Sequence, residues 1–414
     1  MKSSRSFSER PNFSASQLPV VRARFIERPN RFLVLCDLGG RTVEAYLPNP
    51  GRLRELLLPG RTLYLVKNPP DPPRRTPYTA LAVEREGRPV LLHTHLANDV
   101  AARLLAAGRL PGFERASVIR REVTAGQSRY DFLLDRDGRE FLLEIKSCTL
   151  FDGRIAMFPD AVTARGRRHL EQLARHARQG TPGGVVFLVH SPQVDAFMPD
   201  YHTDLAFSQA LLAVKDDILV KAVSVTWNPD LSLGARVREV GIPWALVERE
   251  AKDEGAYLLV LEMSQSGHID VGGLGRIAFP KGFYVYAGSA RASLTSRVER
   301  HLRPRKRHHW HIDYLRARAA SCTALPVRAS EDLEHGLAAA LGRLADWVIP
   351  RFGSSDCRCP THLFGFRGNP QEDPRFIDLL LRFRIRRLEN ALQDWLPARV
   401  EPPGLTRPPR WGME

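Results

Sequence analysis

Asp131, Glu144 and Lys146 are residues whose types and spacing could carry chemistry. They lie in the stretch 129–146, where two apolar runs flank Asp137-Gly138, the dipeptide best suited to the positive φ angles of a type I′ turn. With that dipeptide at the turn centre, Arg136 pairs with Arg139 and Asp131 faces Glu144. Period-two alternation then puts Lys146 on the same face as Glu144. Carboxylate oxygens are the ligands that Mg²⁺ or Mn²⁺ takes, and a nearby ammonium can activate water or neutralise a developing phosphate charge. A surface hairpin with a plain Glu144–Lys146 ion pair would show the same pattern, so spacing alone leaves both readings open.

Two further groups stand out. Between Arg291 and Arg318 there are nine Lys or Arg residues, among them Arg297, Arg303, Arg305, Lys306 and Arg307, against the acids Glu299 and Asp313. Trp310 and four histidines, His301 included, are interleaved with them. Clustered cations with a ring for stacking suit a phosphate backbone. Cys357-x-Cys359-x-x-His362 offers three soft metal ligands, with Cys322 or His311 as a fourth. The spacing departs from standard zinc patterns, so the expectation is of reduced cysteines packed near a site rather than of zinc.

The elements that must position these residues belong to more than one core. A chain of 414 residues calls for two or three domains, and its net charge of +15 favours a polyanionic partner, nucleic acid before an anionic membrane surface. No run approaches the ~20 apolar residues of a membrane span, and the start of the chain lacks the apolar core of a signal peptide. Five cysteines, few and odd in number, suit a reducing cytoplasm. A cytoplasmic location is therefore expected, compatible with association with the nucleoid, and no membrane partner.

In order, residues 1–17 read as a loose basic tail, and 18–92 as a small OB-like β-barrel with strands near 31–37, 42–47, 61–66, 79–84 and 89–92. Pro48-Asn49-Pro50-Gly51-Arg52-Leu53 forms a rigid turn that presents Arg52. Residues 93–240 read as an α/β domain with a mixed sheet. It starts with a helix at 98–107 capped by Asn98, followed by a strand at 116–123, the hairpin, and a strand at 151–158. A helix at 162–179 then carries Leu170, Leu173, Ala174 and Ala177 on one stripe and Arg165, Arg167, Arg168 and His169 on the other. A strand at 185–190, a helix capped by Asp204 and a strand at 218–227 complete the domain. Residues 228–254 read as a charged connection bounded by proline, with the linker proper at 241–254. The pattern resets at 255–368. Residues 369–400 form an amphipathic helix with Asp373-Pro374 at its start, and 401–414 a Pro-rich tail.

Four ordered motifs carry a resemblance. Pro-Asn-Pro-Gly-Arg-Leu (48–53), Arg-Tyr-Asp-Phe-Leu-Leu (129–134), Glu-Ile-Lys-Ser-Cys-Thr-Leu (144–150) and the string from Phe158 to Leu170 closely resemble the sugar fermentation stimulation protein (SfsA) family. The resemblance covers about 18–240. It implies an OB-like N-terminal domain, a PD-(D/E)XK nuclease-like domain, DNA binding, and a regulatory link to maltose metabolism. It makes Asp131, Glu144 and Lys146 the nuclease-type triad. PD-(D/E)XK enzymes often add a glutamate from the preceding helix; residues 98–107 offer none, and Glu122 is the nearest substitute.

Residues 255–366 resemble the GIY-YIG nuclease superfamily. Gly255-Ala256-Tyr257 stands for the first motif and Tyr286-Ala287-Gly288 for the second, with Trp310–Leu315, Phe352–Cys357 and Thr361–Phe364 marking an uncharacterised branch. The resemblance puts Tyr257 and Tyr286 beside the attacking water, Arg297 on the phosphate, and Glu334 on the metal. His301 lies one helical turn beyond Arg297, on the same face.

The expected protein is thus an α/β and α+β multidomain DNA-binding protein and a Mg²⁺- or Mn²⁺-dependent phosphodiesterase. Arg52, Arg129, Arg165, Arg167, Arg168, Arg303, Arg305, Lys306, Arg307 and Trp310 are its candidate DNA contacts. The alternative is a non-catalytic DNA-binding regulator that keeps nuclease folds without turnover. Strandedness of the DNA and oligomeric state stay open.

Overall fold

A computed structural model describes residues 19–69, 75–355 and 357–397; the two expected tails and part of the Pro-rich loop fall outside them. The first module comprises β1 (Val20–Asn30), β2 (Leu33–Leu38), β3 (Arg41–Tyr46), β4 (Thr62–Lys67), β5 (Tyr78–Arg85) and β6 (Arg88–Leu91). The order β3-β2-β1-β4-β5-β6, with β3 also pairing β5 in parallel, closes a five-stranded barrel. The 11-residue β1 was not among the expected strands. Its alternation is blunted by exposed Arg, Glu and Ile26, and only Ala23 and Phe25 are fully buried, so the run reads weakly as a strand.

The second module contains α1 (Thr94–Ala106), β7 (Ser117–Ala125), β8 (Ser128–Arg136), β9 (Arg139–Cys148), β10 (Leu150–Asp152), β11 (Ile155–Phe158), α2 (Ala164–Arg178), β12 (Gly183–Val189), β13 (Ala196–Pro199), α3 (Leu205–Val214), β14 (Leu219–Trp227), β15 (Leu233–Val240) and α4 (Trp244–Glu250). Its main sheet runs β15-β14-β12-β9-β8-β7, with β9, β12 and β14 parallel and the rest antiparallel. The central β12, Gly-Gly-Val-Val-Phe-Leu-Val, is buried along its whole length, as a strand covered on both faces must be. Residues 228–254, expected as a connection, instead supply the edge strand β15 and helix α4. Arg and Glu on the exposed positions of β15 mask its alternation.

The third module holds β16 (Gly255–Met263), β17 (Gly267–Asp270), β18 (Arg276–Phe279), β19 (Gly282–Ala290), α5 (Leu294–Leu302), α6 (His311–Arg316), β20 (Ser321–Arg328), α7 (Glu334–Gly342), β21 (Trp347–Val348) and β22 (Leu363–Phe366). The sheet β20-β16-β19-β22-β21 is antiparallel. The expected amphipathic helix is present as α8 (Pro374–Leu381), a π-helical stretch Arg382–Arg386, and α9 (Arg387–Ala391). Asp373 caps it by accepting from the Arg375 N–H. Among the described residues no helix is long and apolar enough to cross a membrane.

This last segment packs back on the protein, and its apolar stripe of Ile377, Leu381, Ile385, Leu388 and Leu392 is buried. It also draws the modules together through ions. Arg386 reaches Asp152 at 2.5 Å, and Arg85 of the barrel holds the same carboxylate at 3.1 Å. Arg387 pairs with Glu250 at 2.6 Å and Glu331 at 2.9 Å. Asp152 therefore joins all three modules. Without Asp152, Arg386 keeps Asp378 and Arg85 keeps the Phe151 carbonyl, so loss of the carboxylate costs about 1–2 kcal/mol rather than the full penalty of a buried unpaired charge. Asp152→Ala is expected to lower the urea midpoint accordingly, and Asp152→Asn, which keeps an acceptor, to lower it less; equal midpoints for Asp152→Ala and the parent protein would remove the carboxylate from this role.

Candidate functional site

The hairpin folds as its turn dictates. Asp137 and Gly138 take φ of 56° and 78°, and β8 pairs β9 from Arg136↔Arg139 to Phe132↔Leu143. There the two strands part. β9 continues beside β12, with Glu144 next to Val185, and the freed N–H of Ile145 donates to Asp131 Oδ2 at 2.7 Å. Asp131 Oδ1 accepts from Asn98 Nδ2 at 2.6 Å. Asn98 was expected to cap its helix; α1 begins at Thr94 instead, so Asn98 sits one turn inside and presents its amide to the site. The helix thus contributes an amide where a glutamate is the commoner choice. Glu122 does not substitute, because it pairs with Arg129 at an exposed position.

Glu144 is buried, and its Oε1 takes two donors: Lys146 Nζ at 2.5 Å and His169 Nδ1 at 2.8 Å. Arg165 Nε donates to His169 Nε2 at 3.3 Å, which leaves the ring proton on Nδ1, facing Glu144. Oε2 of Glu144 is buried without any hydrogen-bond partner. Burial raises the Glu144 pKa, but Lys146 and His169 outweigh it and hold the carboxyl below its usual range. Asp131 moves the other way: burial first, then the charge of Glu144, push it up to about 6. The two carboxylates repel one another around an unpartnered oxygen, so Asp131 and Glu144 are the residues here that could hold a cation.

His169 was assigned to the basic face of α2, and here the structure differs. His169 lies one turn before Leu173 and is buried with it, while Arg165 and Arg168 are exposed and Arg167 is half-buried and paired with Glu171. The helical period carried this signal, since Gly166, His169, Leu170 and Leu173 form one stripe. Arg52 is exposed on its turn, which Arg28 braces by donating to the carbonyls of Gly51 and Arg52, both at 2.8 Å. Asp160 receives the Leu53 N–H at 3.1 Å, so the 48–53 and 158–170 motifs meet where barrel and second module join. A Cβ on Gly51 would lie 2.4 Å from an Asp160 oxygen, which explains the glycine.

Ser147 and His190 resemble a nucleophile–base pair at 3.0 Å, but the tautomer forbids it. Trp227 Nε1 donates to His190 Nδ1 at 3.1 Å, so Nε2 carries the proton and donates to Ser147. Burial pushes the His190 pKa down to about 3, which keeps the ring neutral.

In the third module Tyr257 and Tyr286 sit on neighbouring strands with ring centroids 6.4 Å apart. Tyr257 Oη lies 2.9 Å from His301 Nε2, and Asp313 Oδ1 lies 3.6 Å beyond Nδ1. Gly288 is demanded by Tyr257, whose hydroxyl would stand 2.5 Å from a Cβ there. Burial, then Tyr286, raises the Tyr257 pKa well above its ordinary value. Arg297 donates to the Ser289 carbonyl at 2.7 Å and lies over the Trp310 ring, which also carries Arg300.

Sequence reasoning gave Asp313 no role, yet it takes Arg300, Lys306 and the N–H groups of His309 and Trp310. Lys306, expected on DNA, is drawn inward to Asp313 at 2.9 Å and to the last carbonyls of α5. Arg303, Arg305 and Arg307 remain exposed. Both Glu334 oxygens are engaged, one by Ser289 and the other by His362 Nδ1 at 3.0 Å. The 520 Å³ groove between barrel and α8 is lined by Arg61, Arg85 and Arg375 among others, and by none of these clustered residues.

Residues 26–92 match the SfsA N-terminal OB domain, and 95–230 match the sugar fermentation stimulation protein RE domain. A sugar fermentation stimulation protein homolog of Chloroflexus aurantiacus is 44% identical over 197 residues, covering 48% of this chain and 76% of that one. This chain belongs to the sugar fermentation stimulation protein family. A homolog from Methanothermobacter thermautotrophicus is 39% identical over 46% of this chain and 79% of its own length. A solved structure, Pyrococcus furiosus SfsA in complex with Ca²⁺, superposes with a TM-score of 0.51 at 29% identity, covering 54% of this chain and 96% of that one. Residues 256–384 match the domain of unknown function DUF123, which is GIY-YIG-like. That match runs through α8 into the π-helical stretch, so the amphipathic segment belongs largely to the third module.

The raised Asp131 carboxyl has a consequence for stability. A group whose folded pKa lies above its ordinary value costs stability when ionised, and that cost fades as pH falls through about 6 toward the ordinary 3.8. At pH 8 and without divalent metal, Asp131→Asn should raise the thermal midpoint by a few degrees, at roughly 2–4 °C per kcal/mol. The gap should narrow between pH 6 and pH 4. A lower midpoint for the variant at pH 8 would contradict the repulsion.

Proposed function

We propose that this protein is a DNA-binding phosphodiesterase dependent on Mg²⁺ or Mn²⁺, with its principal centre at Asp131, Glu144 and Lys146. The observation that carries the reading is the buried, unpartnered Oε2 of Glu144 beside an Asp131 carboxyl pushed up to about 6. The relative solved in complex with Ca²⁺ supports a hard, oxygen-seeking cation here. Asp131 and Glu144 would hold the ion, which when bound supplies Lewis acidity and lowers the pKa of water.

The chain's own groups have separable tasks. Asn98 and the Ile145 N–H fix Asp131, so its carboxylate reaches the site without reorganisation. His169 fixes Glu144. Lys146, 2.5 Å from Glu144 in the absence of substrate, turns to the phosphate as charge develops there. Arg165 and Arg168 on the exposed side of α2, Arg52, and Arg303, Arg305 and Arg307 on the third module provide backbone contacts. In the third module, Tyr257, hydrogen-bonded to His301 at 2.9 Å, would place its phenol to relay a proton from an attacking water. Arg297 would turn to the phosphate, and Glu334 would hold a second ion only by giving up Ser289 or His362.

The reading is checked by incubating single-stranded, duplex and branched DNA with the protein and Mg²⁺ or Mn²⁺. Cleavage should appear with metal and fall about 10²-fold or more in Glu144→Ala. Glu334→Ala separates the contribution of the third module. If no substrate is cut, or if Glu144→Ala and Glu334→Ala cut as well singly and together as the parent, the enzymatic reading is lost. Calorimetric titration with Mg²⁺ then distinguishes a regulator that binds DNA without metal.

A further inference from the structure

Four metal-seeking side chains outside both candidate centres converge at one place. His335, Cys357, Cys359 and His362 each offer a ligand atom, and these atoms all lie within 4.8 Å of one another. His335 Nδ1 stands 3.3 Å from Cys359 Sγ, and His362 Nε2 stands 3.3 Å from Cys357 Sγ. A tetrahedron with metal–sulfur bonds of about 2.3 Å and metal–nitrogen bonds of about 2.0 Å has edges of roughly 3.3–3.8 Å. The two short contacts therefore already have the length of tetrahedral edges. The fourth partner comes from neither Cys322 nor His311. It is His335, on the first turn of α7, more than twenty residues before the cysteines, which no local spacing rule would have paired with them.

The loop that carries the cysteines is anchored at its base. Arg351 N donates to the Pro360 carbonyl at 2.8 Å, and His362 N to the Phe352 carbonyl at 2.9 Å. Thr361, buried, donates to the Ile349 carbonyl at 2.5 Å. His362 is set as a metal-bound histidine usually is: Nε2 faces the cluster, while Nδ1 faces Glu334 Oε1 at 3.0 Å and the Ala287 carbonyl at 3.2 Å. A carboxylate behind the imidazole fixes its tautomer and raises its basicity. On the other side, a Cβ on Gly353 would stand 2.7 Å from the Tyr286 ring, so the same loop backs that tyrosine.

We propose that His335, Cys357, Cys359 and His362 bind one zinc ion in a closed, four-ligand structural site. Two thiolates and two imidazoles select zinc over Mg²⁺ or Ca²⁺, which seek oxygen. Binding releases the two thiol protons, and two thiolates with two neutral histidines cancel the charge of the ion. Full coordination leaves no position for water or substrate, so the ion acts by position alone. It clamps the 352–362 loop onto α7, holds Glu334 through His362, and keeps the loop against Tyr286.

The test uses the full chain, purified without chelator and then read by elemental analysis. One zinc per chain is expected in the parent protein and in Cys322→Ser, and none above background in Cys357→Ser/Cys359→Ser. Chain stripped of metal and titrated with Co²⁺ alone should develop the thiolate charge-transfer band and the visible absorption of a tetrahedral site. Glu334→Gln should keep those bands but weaken Co²⁺ affinity about 10–100-fold, as loss of a carboxylate behind a liganding histidine does. Folded parent protein with neither zinc nor a Co²⁺–thiolate band would overturn the site even if the double variant failed to fold. Undiminished zinc in a folded double variant would overturn the assignment of its ligands. Neither readout depends on DNA cleavage, so the outcome stands apart from that of the proposed activity.

Discussion

Much of the second module follows from the point where β8 and β9 separate. As far as Leu143 the two strands satisfy each other's backbone groups. Beyond it β9 keeps β12 on one side and loses its partner on the other, leaving the Ile145 N–H to be satisfied. Asp131 accepts it, and in doing so is committed to a position beside Glu144. A buried N–H left unpaired costs about 1–3 kcal/mol, so the fork cannot form cheaply without a side-chain acceptor here. The same carboxylate that satisfies the backbone is repelled by its neighbour. Structure and chemistry use one group, and the repulsion is the strain that the site stores.

The three modules are held by charge as well as by apolar packing. Asp152 in the second module meets Arg85 from the barrel and Arg386 from the C-terminal segment. Glu389 receives the Arg154 N–H, and Arg387 closes on Glu250. The arginines beside the amphipathic stripe, which in sequence suggest a basic face, are largely spent on these internal partners. Arg384 donates to the Pro326 carbonyl and is buried enough for its pKa to be pushed down to about 10. A strongly basic chain therefore exposes less of its charge at this segment than its composition suggests, while exposed arginines remain on α2, on the 303–307 loop and on strands of the barrel and second module.

Local rules reached far in this sequence where the determinant was local. Asp137-Gly138 sets the hairpin register, and Asp204 and Asp373, expected at helix starts, cap through their side chains. Asn98 was mistaken for a cap because the turn before it, Thr94–Ala97, lacks a side-chain cap of its own to announce the start. Three arginines around His169 suggest a wet face, yet the helical period places it on the buried stripe with Leu170 and Leu173. Asp313 sits at N3 of α6 and accepts from the Trp310 N–H, a local capping pattern, but its ties to Arg300 and Lys306, like those of His335 to the cysteines, form only when the chain folds, and no spacing rule reaches them.

The two candidate centres differ in how far their acids are already satisfied. In the third module Asp313 is met by Arg300, Lys306 and two backbone N–H groups, and these donors hold it well below the usual carboxylate range despite its burial. Glu334 has a donor on each oxygen. An ion arriving there must displace a serine or a histidine. In the second module Glu144 keeps one oxygen with no donor, and Asp131 is raised rather than depressed. An ion arriving there meets one carboxylate oxygen without a donor, on Glu144, and relieves its repulsion with Asp131, whose own oxygens hold Asn98 and the Ile145 N–H. The repulsion between carboxylates is thus concentrated at the hairpin, whereas in the third module Asp313 and Glu334 each carry their donors and Arg297 and Arg300 lie over the Trp310 ring.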